Sequence, residues 1–431
     1  MRAIRAGAAL CAVLLAAVGV VSAPHVVYVR CGKLIFDAEK APIANAGVVI
    51  TDGKVTAVGA DVQMPAGAEQ IDLSSYTVMP GIIDAHTHLW SGPFGSTPSS
   101  GLALLRGTRA VNYALSSGIV AMRVLGSNDF EDVALANAID EGTIPGPHII
   151  PAAHAISIIG GHGDFLSQPP QFPLTDYYTP LNGFINSPED AEKAVHLQIK
   201  YGAKVIKVLA SGGVLSPLDS PQAEQLSPEE LRVIVEQAHM AHLKVAAHDE
   251  NLATILVALH AGVDSIEHGS ELNDEAIGFM KQHHVTLVPT VYIVDNLMTN
   301  GERMRMPAYV LTKANEVGKK QLVSFKLAVQ NGVYIAAGSD QNYEPGQGTG
   351  RDEVMSEVKF GMSAKDALIS GTKHGAELLG LDHLLGTVEV GKEGDLIAVE
   401  GDPLSDIRVL ENVKAVVYQG RSITPANRTR Q

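Results

Sequence analysis

Short apolar runs alternate with longer amphipathic segments through the central part of the chain, between residues 79 and 380. The first run ends at His86, and seven more follow it. Apolar runs of this length, bounded by turn residues, are typical of buried parallel strands. The predicted strands after His86 cover residues 119–124, 148–152, 205–209, 245–248, 265–268, 286–291 and 333–337.

The segments between these runs have helical character. The clearest helix begins at residues 227–230, Ser-Pro-Glu-Glu, where a capping serine precedes a proline suited to the first turn and two acids that favour the helix dipole. Eight strand–helix units predict an α/β protein with a (β/α)8 TIM barrel. A doubly wound open sheet is the alternative, but no glycine-rich dinucleotide turn follows the first strand.

Both ends of the chain show a different pattern, with short strands and turns and no helices between them. Neither end has enough apolar surface to form a core alone, so we expect the two to pair in one small β-sandwich domain. The predicted boundaries are 24–78 and 381–431 for this domain and 79–380 for the barrel. The predicted strands are 26–29, 46–50, 55–58, 386–390, 395–399 and 415–418, with a hairpin turn at Asp52-Gly53.

Residues 1–23 have the pattern of a secretory signal peptide, with a basic start, an apolar run over 6–21 and a Val-Ser-Ala cleavage site. The run is short for a membrane span, so we predict a secreted or periplasmic protein with no stable span after cleavage; an uncleaved anchor is the alternative. Cleavage would remove Cys11 and leave Cys31 without a partner, which excludes an internal disulfide in the mature chain.

The composition of the 431 residues narrows the function classes. Hydrophobic residues make up 46% of the chain, enough to bury a large core, and the formal net charge is −15. An acidic chain without a lysine- or arginine-rich patch disfavours nucleic acid as a partner.

Six side chains with metal-binding chemistry fall at or near the carboxyl ends of the predicted strands. His86 and His88 are two residues apart on a strand and therefore point to the same side. Taken singly, each of the six has an ordinary explanation as a core histidine, an ion-paired lysine or a turn aspartate. Active sites of such barrels lie at this end, so their coincidence predicts a metal site. The candidates are His86, His88, Lys207, His248, His268 and Asp340.

Lys207 is unusual because it interrupts an apolar strand, where a buried ammonium group is costly. A neutral amine at this position can capture carbon dioxide and become a carbamate, whose two oxygens can bridge two cations. Glu267, beside His268, points to the opposite side of its strand, and we expect it to be a structural ion-pair partner.

The motifs of the chain resemble those of the amidohydrolase superfamily from about residue 26 to residue 423. They comprise Pro-Gly-Ile-Ile-Asp-Ala-His-Thr-His at 80–88, the strand-four lysine, Ile-Glu-His-Gly at 266–269, Gly-Ser-Asp at 338–340 and the Gly-Lys-Glu-Gly-Asp stretch at 391–395. The loops at 159–164 and 211–214 resemble recurring loops of the imidazolonepropionase-like branch. This branch includes Xaa-Pro and Xaa-Arg dipeptidases and ochratoxin-hydrolysing amidohydrolases.

The resemblance implies hydrolysis of an amide or peptide bond by two divalent metal ions, with zinc expected and manganese or cobalt as substitutes. His86, His88 and Asp340 would hold one ion, His248 and His268 the other, and carboxylated Lys207 would bridge them. His162 would polarise the substrate carbonyl, and Asp340 would transfer the proton. The branch also implies a homo-oligomer and a small-molecule or dipeptide substrate with a free carboxylate. Tyr292, Arg303 and Arg351 are the candidates to bind that carboxylate.

The sequence departs from the resembling family in two places. Asp249-Glu250-Asn251 follows His248 where a small residue and a glycine turn are common, so these acids either alter the pocket or face solvent. Glu393-Gly394 stands where a small apolar pair is common. Two other functions stay open: a cyclic-amide hydrolase or deaminase with one metal ion, which Lys207 disfavours, and a non-catalytic binding protein.

Overall fold

The computed structural model describes residues 23–89, 99–164, 177–344 and 347–426. The predicted signal peptide, apart from its last residue, lies outside the described residues. Within them, no helix combines the length and the apolar character needed to cross a membrane. The strands in chain order are Val26–Leu34 (β1), Ile43–Ala44 (β2), Gly47–Thr51 (β3), Lys54–Gly59 (β4), Glu69–Pro80 (β5), Ile82–Thr87 (β6), Ile119–Val124 (β7), His148–Pro151 (β8), Ser157–Ile158 (β9), Phe184–Ile185 (β10), Val205–Leu209 (β11), Lys244–Asp249 (β12), Ser265–His268 (β13), Thr286–Val288 (β14), Leu396–Val399 (β15), Val413–Tyr418 (β16) and Arg421–Ile423 (β17).

Helices occupy the stretches between the central strands. The predicted helix start at Ser227 is confirmed, because Ser227 and Glu230 form a reciprocal capping box with a proline in the first turn. The helices are Ser100–Ser116 (α1), Glu131–Asp140 (α2), Pro188–Tyr201 (α3), Pro228–Met240 (α4), Leu252–Ala261 (α5), Asp274–His283 (α6), Val291–Asn300 (α7), Ala308–Gln330 (α8), Gly350–Lys359 (α9), Ala364–Ile369 (α10) and Gly375–Leu379 (α11). Shorter helical turns cover Pro180–Asn182, Ser370–His374 and Ile407–Glu411.

Strands from both chain ends form one eight-stranded sheet in the order β17-β16-β15-β5-β1-β3-β4, with β2 paired to β1. The long strand β5 joins the two ends, since it pairs in parallel with β1 and antiparallel with β15. A small core of mostly valine, leucine and isoleucine side chains packs on this sheet. The sandwich arrangement of this region stays a prediction.

The hairpin turn predicted between β3 and β4 is confirmed, and its residues Asp52 and Gly53 have φ angles of 48° and 85°. The strand predicted at 386–390 is wrong, because this segment is irregular. Val388 is buried in the small core and donates its N–H to the Phe36 carbonyl at 2.8 Å. Gly386 and Gly391, on either side of it, have positive φ angles and turn the chain. Burial of a single valine therefore produced the apolar pattern there.

The central strands form two parallel sheets, β6-β7-β8 and β11-β12-β13-β14. The strands predicted at 119–124, 205–209 and 265–268 are confirmed with their full ranges. Three isolated parallel bridges link further segments to these sheets: Ile156 with Val208, Leu287 with Ile335, and Thr87 with Gln341. The strand predicted at 333–337 is therefore present only as a single bridge at Ile335.

Parallel pairing brings the carboxyl ends of the central strands to one edge. The register pairs Leu209 of β11 with His248 of β12, and Asp249 of β12 with His268 of β13. The candidate ligands on three strands are thereby held at similar heights in the sheet, at the end where the polypeptide leaves for the following helix.

Candidate metal centre

The first group of ligands comes from β6 and from the turn after the bridge at Ile335. The backbone fixes the two segments together, because Asp340 donates its N–H to the His86 carbonyl at 2.8 Å and His88 donates to the Gln341 carbonyl at 3.0 Å. The Asp340 Oδ1 atom lies 3.5 Å from His86 Nε2 and 3.2 Å from His88 Nε2. One ligand atom from each of the three lies within 4.8 Å of the others, which is compatible with one shared cation.

The second group comes from the ends of β12 and β13. The ring centroids of His248 and His268 are 4.6 Å apart, and His268 lies 5.1 Å from His86. His268 is the last residue of its strand and has a φ of 68°, so the backbone turns sharply after it. The structure therefore brings all four predicted histidine ligands into one continuous cluster of rings.

Each of these four rings has a hydrogen-bond partner on one nitrogen, and the second nitrogen of His88 also contacts the candidate ligand Asp340. The contacts are His86 Nδ1 with Glu267 Oε2 at 2.8 Å, His88 Nδ1 with the Gly126 carbonyl at 3.4 Å, His248 Nε2 with the Gly212 carbonyl at 3.1 Å, and His268 Nδ1 with Thr290 Oγ1 at 2.7 Å. Such partners orient the ring and select the tautomer, and they leave the other nitrogen to act as a metal ligand. This set of imidazoles and a carboxylate fits zinc and related divalent cations.

Burial controls the charge of the rings. Desolvation lowers the pKa of His86 and His248 well below the ordinary value and lowers the pKa of His268 to about 4. The neutral imidazole is the form that binds a metal ion. Asp340 shows the opposite balance: burial would raise its pKa, but His86 and the hydrogen bond from His88 lower it well below the usual range, so it is a carboxylate.

Lys207 lies in the middle of β11 and is 2% exposed. Burial lowers the pKa of its amine to about 8, although Glu267 and Asp340 oppose the shift. The lysine therefore lies close enough to Glu267 and Asp340 for their charges to act on its amine. A lowered pKa increases the fraction of neutral amine, which is the form that reacts with carbon dioxide.

Glu267 has a larger part in the site than the sequence predicted. The expected ion pair is present, because Arg123 Nη2 lies 2.8 Å from Glu267 Oε1. The other carboxylate oxygen binds His86, and both acid and arginine are buried. The bond to His86 could not be predicted from the sequence, because 181 residues separate the two. The one signal in the sequence was an acidic residue within an apolar strand, directly before the candidate ligand His268.

The acids after His248 are buried, so the solvent-facing alternative is wrong. Asp249 is 0% and Glu250 4% exposed. The Thr254 hydroxyl donates to Asp249, and the Ser270 hydroxyl donates to Glu250. Burial raises the pKa of Glu250 to about 7. These hydroxyl bonds attach the loop after β12 to helix α5 and to the loop after β13.

The predicted carbonyl-polarising residue, His162, lies against the ligand cluster. Its ring stacks on His248 at a centroid distance of 4.3 Å, and its Nδ1 atom lies 2.8 Å from Ser216 Oγ. The Ser216 hydroxyl donates to Asp219, which also forms an ion pair with Lys313 at 3.2 Å. A hydroxyl that donates to a carboxylate offers its lone pairs to the ring, so this chain of bonds favours the proton on His162 Nδ1.

The three candidates for the substrate carboxylate lie in different surroundings. Tyr292 follows Thr290 at the start of α7, and its backbone N–H donates to Glu353 at 2.7 Å. Arg303 is exposed in the turn after that helix. Arg351 is buried in α9 and donates from Nη1 to the Leu410 carbonyl at 2.8 Å. Tyr292 therefore lies two residues after Thr290, whose hydroxyl contacts the candidate ligand His268.

The sequence profile of the Amidohydrolase family matches residues 77–423, a range that includes all six candidate ligands. The chain belongs to the Amidohydrolase family. It is a hydrolase that acts on C–N bonds, and metal dependence is typical of this family. The family predicted from the motifs is thereby confirmed.

Three relatives are similar to the chain over most of its length. Ochratoxinase of Aspergillus niger is 33% identical over 410 residues, which cover 89% of this chain and 83% of that protein. Its crystal structure superposes with a TM-score of 0.81 at 30% identity, over 93% of this chain and 96% of that one. Imidazolonepropionase of Pseudomonas paraeruginosa is 26% identical over 386 residues, covering 84% and 89%.

The third relative is a Xaa-Pro dipeptidase whose crystal structure has methionine bound in the active site. It superposes with a TM-score of 0.85 at 31% identity, over 92% of this chain and 99% of that one. Together these neighbours imply a TIM barrel accompanied by a second domain.

Proposed function

We propose that the protein is a binuclear metal-dependent amidohydrolase that cleaves the amide or peptide bond of dipeptides or N-acyl amino acids. The observation that supports this most strongly is the cluster of four imidazoles, each held through one ring nitrogen, beside Asp340 and Lys207. A non-catalytic binding protein has no need for such a set of oriented ligands.

We propose that this cluster binds two divalent cations. His86, His88 and Asp340 would hold one ion and His248 and His268 the other, with a carbamate on Lys207 as the bridge. Zinc suits these nitrogen and oxygen donors, and manganese or cobalt can replace it. Bound ions would polarise the scissile carbonyl and lower the pKa of a water molecule toward neutrality.

Asp340 is the proposed proton carrier. Its low pKa makes it a carboxylate before reaction, and its contacts with His86 and His88 fix its position. It would accept the proton of the attacking water and then deliver that proton to the leaving nitrogen, which otherwise leaves as an unstable anion.

His162 would donate a hydrogen bond to the carbonyl oxygen as negative charge develops there. Burial lowers the pKa of His162 to about 4, although the negative charge of Asp219 opposes the shift, so the ring is neutral near pH 7. In this role the neutral ring would instead carry its proton on Nε2, and Nδ1 would accept the Ser216 hydroxyl.

The substrate class is proposed from the relatives, which include a Xaa-Pro dipeptidase and an ochratoxinase. Both names are compatible with an acyl group joined to an amino acid that has a free carboxylate. Tyr292 is the preferred carboxylate ligand, because it lies two residues after Thr290, which contacts His268. Arg303 and Arg351 are the alternatives; one guanidinium nitrogen of Arg351 already binds Leu410.

Further proposals concern architecture and location. The three isolated bridges support a closed (β/α)8 barrel over 79–380, because they join segments at the edges of both parallel sheets. The sheet of the chain ends supports a second domain made of 24–78 and 381–431.

The apolar segment at 1–23 supports cleavage of a signal peptide and a secreted or periplasmic location. We also propose a homo-oligomer, by resemblance alone.

The test combines metal analysis of the purified full chain by mass spectrometry with a substrate panel. The panel contains Xaa-Pro dipeptides, Xaa-Arg dipeptides, N-acyl-phenylalanine and ochratoxin A. At least two metal ions per chain and hydrolysis of at least one substrate are expected. A count near one ion per chain would favour the cyclic-amide hydrolase or deaminase, and inactivity on the whole panel would contradict the proposed substrate class.

A further inference from the structure

A second cluster of metal-binding side chains lies at the other end of the central strands. His148 is the first residue of β8, whereas the ligands described above lie at the carboxyl ends of their strands. His148 Nε2 lies 2.8 Å from Glu393 Oε2, and Asp395 is the residue directly before β15. One ligand atom from each of these three residues lies within 4.8 Å of the others.

Asp395 has an unsatisfied oxygen in this cluster. Its side chain is 4% exposed, and Oδ1 accepts the Gln419 N–H at 2.7 Å. The other oxygen, Oδ2, is buried and has no hydrogen-bond partner in the described part of the chain. A buried carboxylate oxygen without a partner costs free energy and points to a ligand that completes the site.

The charges of the cluster also favour a cation. Two carboxylates face one imidazole, and the Gln419 amide, which donates to Glu393 at 3.2 Å, adds no charge. Burial raises the pKa of Asp395 to about 7, and the Gln419 N–H and the charge of His148 only partly offset this shift. One imidazole nitrogen with two carboxylate oxygens is a donor set that suits zinc and neighbouring first-row ions rather than calcium.

We propose that His148, Glu393 and Asp395 form a binding site for a divalent transition-metal ion, with zinc as the favoured ion. The ion would replace the proton shared by His148 and Glu393 and would accept a lone pair from Asp395 Oδ2. It would connect the amino end of β8 with the sheet of the chain ends. Residues at this end of a barrel contribute to stability rather than to chemistry, so the site is structural. This inference does not depend on the proposed function.

The test is a zinc titration of the metal-free full chain against a chromophoric chelator, which counts the ions bound per chain. Asp395→Asn and His148→Gln are each expected to bind one zinc ion fewer than the wild type. Zinc should also raise the Tm of the wild type by more than it raises the Tm of either variant. Because the zinc count of each variant is compared with that of the wild type, the result does not depend on how many ions the first cluster binds.

His239→Gln is the matched control. His239 forms an ordinary pair with Asp264 at 2.9 Å, without a third ligand, so its loss should leave the zinc count unchanged. Equal counts in the wild type and in folded Asp395→Asn and His148→Gln would overturn the proposal. Zinc-edge anomalous diffraction from wild-type crystals needs no variant: a peak at His148 supports the site, and its absence at saturating zinc overturns it.

Discussion

Two clusters of histidine and carboxylate lie at opposite ends of the same set of parallel strands, and they differ in how the imidazole is held. At the carboxyl ends, separate protein groups hold one nitrogen of each ring and leave the other for a ligand. At the amino end, His148 bonds directly to Glu393. The first arrangement orients most of its ligands before any ion binds, although His88 Nε2 also contacts Asp340. In the second arrangement, an ion must replace the proton that His148 and Glu393 share.

The largest expected effect comes from Lys207→Ala. Loss of the bridging group should lower metal content and reduce kcat/KM by ~10³-fold or more, because several kcal/mol of transition-state stabilisation depend on the ions. Lys244→Ala is the control, since Lys244 lies at the amino end of the next strand and donates to the Glu377 and Leu378 carbonyls. Full metal content and activity in Lys207→Ala would contradict the bridge.

Asp340→Asn should reduce kcat by about 10²–10⁴-fold, the usual contribution of a positioned acid–base group. The amide keeps the size of the side chain but cannot accept the water's proton. Single-turnover kinetics with the metal content measured in parallel separates loss of proton transfer from loss of an ion. Turnover close to that of the wild type would exclude the proposed role.

Variants of the groups that hold the rings should have intermediate effects. Glu267→Gln is expected to weaken metal binding by ~10–100-fold, because the carboxylate that orients His86 becomes a neutral amide. Thr290→Val should weaken it less, and Thr290→Ser should restore it, since serine retains the hydroxyl that contacts His268. Metal competition with a chelator measures all three. Equal affinity in Thr290→Val and Thr290→Ser would show that the hydroxyl does not orient His268.

The smallest effect on activity is expected from His148→Gln. Loss of the partner of Glu393 should lower the free energy of unfolding by about 0.5–1.5 kcal/mol, the usual net contribution of a hydrogen bond, because this bond is only partly buried. The value of kcat/KM should not change, because the cluster lies at the opposite end of the strands. Denaturant unfolding and steady-state kinetics on the same preparation test both parts. A fall in kcat/KM without a fall in stability would contradict the division between the two ends.

Local pattern was sufficient for the elements that are continuous in sequence. Predictions were correct for the strands β7, β11 and β13 and for the start of α4. Neighbouring residues alone indicate these elements: a short apolar run for a strand buried on both faces, and a capping serine for the helix start. The segments at 333–337 and 386–390 did not match their predictions, because an apolar run shows that residues are buried but not which backbone groups they pair with. Ala337, for example, donates its N–H to the Ser370 carbonyl at 3.2 Å rather than to a strand.

The sequence by itself determined the family and the enzyme class and predicted six candidate ligands, because each candidate lies within or next to a recognisable strand or turn motif. Only the tertiary structure decided what holds those ligands and where the second cluster lies. Glu267 is 181 residues from His86, and Glu393 is 245 residues from His148. Contacts over such separations depend on strand register and on the packing of distant elements, which no local pattern of polar and apolar residues specifies.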